Sequence, residues 1–447
     1  MARRAGSKSP RKKPAATPAV TRNGGFAGFL LSAGASLAVL ASWFAFDPRS
    51  IDAFEAPKAL LAEIGITLAA GAALWSRLRR SHPLRIGPGR WRRCILALFA
   101  AGLLGALLSS IASPRPADSL RTLQTSSLFL LALGVGASLA SSNRFPWITF
   151  LFTAGAAVNA VIVLLTAFGL YSPIAVTEQT QRTGLGALLG NPGYLGLSLA
   201  LAAVALLPRA LSGKWRWPAR AAAALVVAGI FATQTLSGLA AFGGGAVVYL
   251  ILRFRRRAAI PILAAAALMV VGIAGSRQLR FRVFRGIYHA RQGDWNAALS
   301  ARAAPWLAGV EMVRAKPWLG IGPGNFASEF IPRRIQAEAR HHQNLTVMGM
   351  ATNSFSEAHS DYLEILAAVG IPSGVFLISA FALVLIRAFS LGRRDSEAAA
   401  EASSLAAGAI AAATWFPFQI AASGVWLLLL LGAAFHRLEG AQDRLGP

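Results

Sequence analysis

Cysteine is almost missing from this chain. Cys94 stands alone, so no intrachain disulfide can form and no loop is stapled covalently. Acidic side chains are scarce too, with 18 Asp and Glu against 44 Lys and Arg. Charged residues make up only 14% of the 447 positions, where an ordinary soluble domain carries about a quarter. No repeat of fixed period is evident, which lowers the case for an inverted-repeat transporter. No paired-aspartate motif of a metal-diphosphate clamp stands out between the apolar runs. What the chain has instead is apolar sequence, 55% of all residues.

That apolar sequence falls into runs of near membrane-spanning length, about twelve of them. They cover residues 25–46, 58–76, 94–112, 122–140, 147–170, 187–207, 219–235, 238–252, 259–275, 362–386, 398–416 and 418–435. The expected fold class is an all-α polytopic membrane protein with a large, mostly helical loop between helices 9 and 10. The net charge of +26 could suggest nucleic acid, but its placement argues for topology. Of the 44 Lys and Arg residues, 28 lie in the two termini and alternate loops. The short loops on the other side carry five, and the long loop carries eleven. By the positive-inside rule both termini are expected in the cytoplasm, with the basic loops near anionic lipid. Residues 1–24 read as a disordered basic tail. The run at 25–46 reads as a retained first helix, because it is too long for a signal-peptide core.

The domain reading follows: helices 1–9 over 25–275, a loop domain over 276–358, helices 10–12 over 359–436, and a short tail over 437–447. Long ordered loops usually carry function. Within this one, Ser300 can cap a helix from about 301 to 315, along which Trp306, Val310 and Val313 recur at helical spacing. Lys316-Pro317 ends it, and Gly320-Ile321-Gly322-Pro323-Gly324-Asn325-Phe326 follows as a turn-rich segment. A second helix is expected over 327–340. Asn353 or Ser354 offers a cap for a helix that carries His359 into the membrane.

His359 is the first candidate for chemistry. On a helix over 355–369 it would share a face with Tyr362, Leu363 and Leu366, with Asp361 and Glu364 on neighbouring faces. An imidazole there can take a proton from a hydroxyl near neutral pH. The plain alternative is an interfacial histidine bonded to a carbonyl. Arg182 is second, the lone cation of a short outer loop before Gly190-Asn191-Pro192-Gly193-Tyr194. A guanidinium beside a helix N-terminus can seat a diphosphate, or it can simply anchor the interface. Arg302 is third, at a helix start where a cation opposes the macrodipole unless an anion is met there. The alternative is a solvated surface arginine. Arg277, Arg280, Arg282 and Arg285 can contact lipid phosphates or merely form a charged juxtamembrane helix. The glycines at 320, 322 and 324 lack the strand and the Lys-Ser/Thr ending of a nucleotide loop. His341-His342 with His289 makes a poor metal set, since adjacent histidines diverge, and no metal is expected. Glu63 either faces the cavity or pairs with Lys58.

Four segments now carry a resemblance to the O-antigen ligase and O-antigen polymerase family of bacterial membrane glycosyltransferases. They are Arg182-Thr183-Gly184 with Gly190 to Tyr194; Ser300-Ala301-Arg302 with Trp306; Lys316 to Phe326; and His359-Ser360 with Gly370. The similarity covers roughly residues 180–390. It implies a GT-C-like helical fold with a periplasmic loop domain in the bacterial inner membrane. It implies metal-independent, cofactor-free transfer of a glycan from undecaprenyl diphosphate to an acceptor hydroxyl, which for a ligase is on lipid A-core. Carried over by position, His359 would activate that hydroxyl, and Arg182 and Arg302 would hold the donor diphosphate. Tyr362, Asp361, Asn191, Trp306 and Gly322 would line the site or orient the histidine. Two positions depart from the family pattern: Gly238 stands where an arginine is frequent, and Ser373-Gly374 closes the histidine motif. The competing readings are a polymerase, a ligase for protein or exopolysaccharide, a transporter of lipid-linked glycan, and a membrane scaffold.

Overall fold

The computed structural model describes residues 25–50, 52–79, 89–173, 184–212, 214–346 and 354–442. Every regular element among them is helical. In chain order the helices are α1 (Phe26–Phe44), α2 (Glu55–Arg79), α3 (Arg90–Ile111), α4 (Pro116–Ser141), α5 (Phe145–Ala167), α6 (Pro192–Leu211), α7 (Arg216–Ala232), α8 (Leu236–Phe254) and α9 (Ala259–Gly275). The loop domain holds α10 (Arg277–Arg291), the single turn α11 (Trp295–Ala298), α12 (Ala303–Ala315) and α13 (Phe326–His341). The chain then returns through α14 (Asp361–Gly392), α15 (Ser396–Ala412) and α16 (Ala421–Gln442).

Leucine and alanine dominate these helices, and several of their hydroxyls bond back into their own turns. Ser110 donates to Ala106 O at 2.8 Å, Thr153 to Thr149 O at 3.0 Å and Ser403 to Ala399 O at 2.6 Å. A polar group in apolar surroundings is thereby satisfied without a partner helix. Among the described residues, nine helices are long and apolar enough to cross a membrane, against the twelve expected from the sequence. The bent pair α9 and α10 can count as a tenth. The shortfall lies in α7, α9 and α15, which have 17 residues each. At 1.5 Å per residue such a helix reaches roughly 25 Å, slightly less than the hydrocarbon thickness. Helices α6 and α16 form the centre and are the most buried of the spans, whereas α9 buries no residue at all. Lys58, fully buried, donates to Ala45 O and Phe54 O at 2.7 and 3.0 Å, so its hydrogen bonds go to main-chain carbonyls rather than to Glu63.

The loop domain has its own small core of Ala304, Ala308, Met312, Phe326, Phe330 and Phe355. Buried Glu311 ties α12 to α13 through Arg340 at 3.0 Å and pairs with Arg314 on its own helix at 2.7 Å. Ser300 does not cap α12 as expected. Ser300 and Ala301 take positive φ values of 54° and 68°, and α12 starts only at Ala303. Asn296 does the capping work from a distance, its Oδ1 accepting from Ala304 N at 3.2 Å.

The glycine segment 320–324 docks this domain onto the membrane helices. At Gly370 the backbone of α14 breaks, with φ 78° and ψ 165°. The break is met by the loop: Ile321 N donates to Ala367 O and Gly322 N to Ala368 O, both at 2.9 Å. In return Ile371 N donates to Pro317 O at 2.7 Å. A Cβ at Gly370 would fall 2.2 Å from Trp318 O, and one at Gly320 would fall 2.3 Å from Ala368 O. Only glycine lets two backbones approach this closely at positive φ. Asn325 completes the joint, donating to Ser113 Oγ at 2.7 Å and Ser119 Oγ at 3.0 Å.

Candidate active site

His359 lies outside the membrane helix, not on its face. Helix α14 begins at Asp361, with Ser360 as its N-cap. His359 precedes it with φ 53°, in the left-handed region that a non-glycine residue enters at a cost. Ser354 therefore caps nothing, and Asn353 lies outside the described residues. The shared face with Tyr362, Leu363 and Leu366 does not exist, because the helical phase starts two residues too late.

The unusual backbone is held from three directions. Ala358 N donates to the carboxylate of Glu364, one turn into α14. Trp306 on α12 donates its indole N–H to His359 O at 3.1 Å. Asp361 N donates to Trp415 O at 3.1 Å, in the turn between α15 and α16. That turn is pinned in its own right by Asp361, whose two carboxylate oxygens accept from Phe418 N at 3.1 Å and Gln419 Nε2 at 3.0 Å. Ser360 Oγ donates to Ala412 O at 3.2 Å, and Tyr362 OH donates to Ala409 O at 2.9 Å. Asp361 and Tyr362 thus build the frame around His359 and bond to main chain and Gln419.

The pinned turn brings two aromatic rings onto the imidazole. Its centroid is 5.0 Å from Trp415, 5.1 Å from Phe416 and 5.3 Å from Phe355, all edge to face. Arg302 packs on the same Trp415 ring at 4.9 Å and is oriented by Nε donation to Thr414 O at 3.1 Å. The structure therefore brings His359, Arg302 and Trp306 together. Burial, and after it the Arg302 guanidinium, push the His359 pKa down from its ordinary range to about 4. The imidazole is neutral at pH 7. Nδ1 lies 3.4 Å from Glu357 O; with the proton there, Nε2 is left as the basic nitrogen. Burial raises the Glu357 carboxyl above its usual range.

Beside this cluster opens a cleft of about 1850 Å³ between the loop domain and the ends of α6 and α8. Its walls include Asn191, Arg277, Arg285, Arg302, Trp306 and Trp415. His359 is half-buried and is not part of that lining; it meets the wall through Trp306 and Trp415. Asn191 caps α6, its Oδ1 accepting from Gly193 N at 2.7 Å, and it lines the cleft. Gly322 does not reach it: a Cβ there would fall 2.5 Å from Ser119 Oγ, at the joint with α3 and α4. Arg182 lies outside the described residues. Gly238 sits at a close crossing of α6 and α8, where a Cβ would come within 2.8 Å of the Gly196 backbone. A cation does reach this corner from α10, as Arg282 donates to Gln234 O at 2.8 Å. Sequence reasoning missed Trp415, Phe416, Phe355 and Glu357. The first two come from a turn more than fifty residues away, with no local signal to link them to His359.

Helices of this length and apolarity define a multi-pass membrane protein, with a half-buried histidine and an arginine beside a large cleft. Residues 221–378 match the family model described as O-antigen ligase. The match runs from α7 through the loop domain into α14 and includes Arg302, Trp306 and His359. The family implies a glycosyltransferase-like membrane enzyme of O-antigen or glycan assembly. No curated protein matches the chain.

Proposed function

We propose that the protein transfers a glycan from undecaprenyl diphosphate to an acceptor hydroxyl, of the lipid A-core type, at the periplasmic face of the bacterial inner membrane. The observation that carries the reading is the pair His359 and Arg302 on one Trp415 ring: a neutral base beside a fixed cation at the wall of a large cleft. His359 Nε2 takes the acceptor proton as the hydroxyl oxygen attacks the anomeric carbon of the donor sugar. The bond from that carbon to the diphosphate oxygen breaks, and undecaprenyl diphosphate leaves with the electron pair. Arg302 neutralises the charge that develops on the leaving group, with Arg182 as second cation and Arg282 at the corner where Gly238 offers none. No metal is required by this scheme.

Purified protein, an undecaprenyl-diphosphate glycan and lipid A-core, incubated with EDTA and resolved on a gel, test it directly. A ladder on lipid A-core that vanishes with His359→Ala is the expected result. Growth on the polyprenyl carrier alone would instead make the enzyme a polymerase. No product with either acceptor would reject this donor and acceptor pair.

A further inference from the structure

Helix α10 leaves the outer end of α9 at an angle of 94°, with only Ser276 between them. Helix α9 is apolar throughout and buries none of its residues, as expected of a span bathed in lipid. For a span along the membrane normal, a right-angled turn at its end would lay the next helix in the membrane plane, at the depth of the headgroups. Five arginines in fifteen residues keep it out of the hydrocarbon. Ser276 caps its start, Oγ accepting from Leu279 N at 3.3 Å.

The two faces of α10 differ. Leu279 is buried, and Arg282 turns inward to Gln234. The opposite face carries Phe281, Phe284 and Tyr288, which are 64%, 67% and 60% exposed. At 100° per residue, Arg277, Arg280 and Arg291 fall on that same face, interleaved with the rings. These three make no ion pair with any described residue. Aromatic rings beside long cationic side chains on one helix face match the boundary between acyl chains and anionic phosphates, where the rings sink and the guanidinium groups rise to the phosphates.

We infer that the exposed face of α10 is a binding surface for anionic phospholipid headgroups, holding the loop domain down on the membrane beside the cleft. Arg277, Arg280, Phe281 and Phe284 also border the cleft, and the test reads lipid contact directly, without substrate.

Full-length protein carrying Cys94→Ser and Phe284→Cys would be labelled with an environment-sensitive nitrobenzoxadiazole probe and reconstituted into vesicles. Gln336→Cys, on the exposed side of α13, serves as the water-facing control. In vesicles containing phosphatidylglycerol, the probe at 284 is expected to be quenched by lipids spin-labelled near the headgroup. Its quenching by aqueous iodide should fall severalfold below that of the control. Arg277→Gln with Arg280→Gln and Arg291→Gln should remove the difference between anionic and purely neutral vesicles. Iodide quenching at 284 equal to the control would overturn the membrane contact. Equal lipid quenching in neutral and anionic vesicles for the unsubstituted arginines would overturn the headgroup assignment.

Discussion

At the scale of single residues, the protonation state of His359 is the sharpest consequence of the fold. A depressed pKa disfavours the imidazolium, so a base that must be neutral stays competent down to low pH. Transfer should be level from about pH 5.5 to 8 and decline only as pH falls toward about 4, not through the ordinary value near 6.5. A pH–rate profile of reconstituted enzyme checks this. Arg302→Gln removes the cation that helps hold the imidazole neutral, so the His359 pKa should rise. The rate of diethylpyrocarbonate modification of His359 against pH would show the midpoint moving upward. Arg302→Lys should lose most transfer activity, because an ammonium replaces the guanidinium fork as a point charge and loses the Nε donation to Thr414 O. His359→Ala should abolish transfer while leaving membrane insertion intact, as read by extraction and blotting alongside the gel assay.

At the scale of elements, two short segments decide whether the site exists. The first is the 413–420 turn, which reaches His359 only because Asp361 accepts from Phe418 N and Gln419 Nε2. Asp361→Ala leaves those donors without their buried acceptor, a loss of about 1–3 kcal/mol. Lower thermal stability together with faster diethylpyrocarbonate modification of His359 would report the loosened turn. The second is the joint between Gly320 and Gly370. Gly370→Ala forces a Cβ against Trp318 O at a φ that side chains avoid, at a cost of about 1–3 kcal/mol or more. Limited proteolysis should then cut within 316–326 faster than in the parent protein. The helices of the loop domain were legible in outline, with 301–315 and 327–340 expected and Ala303–Ala315 and Phe326–His341 found. Their caps were not legible. Asn296 caps α12 from eight positions away, and a residue that acts at that distance leaves no short motif.

At the scale of the whole molecule, the alternation of basic and neutral loops predicts an orientation. Both termini should lie in the cytoplasm and the loop domain in the periplasm. Fusions of alkaline phosphatase and of a fluorescent protein to the C-terminus and into loop 276–358 test it. Phosphatase activity should appear only for the loop fusion and fluorescence only for the C-terminal one. Apolar run length determined the helical membrane fold, since no other structure satisfies the backbone in lipid. Local motifs around Arg302, Trp306, Gly320 and His359 carried the resemblance to the O-antigen ligase family, and they lie within the matched residues 221–378. Sequence periodicity failed at His359 itself, where Ser360 starts the helical phase and a positive φ breaks the expected face. Only the tertiary structure put Trp415 between His359 and Arg302. Only it sent the α9–α10 junction through a right angle, and only it drew the imidazole pKa down. These outcomes depend on burial and on contacts between segments distant in the chain, which no local pattern encodes.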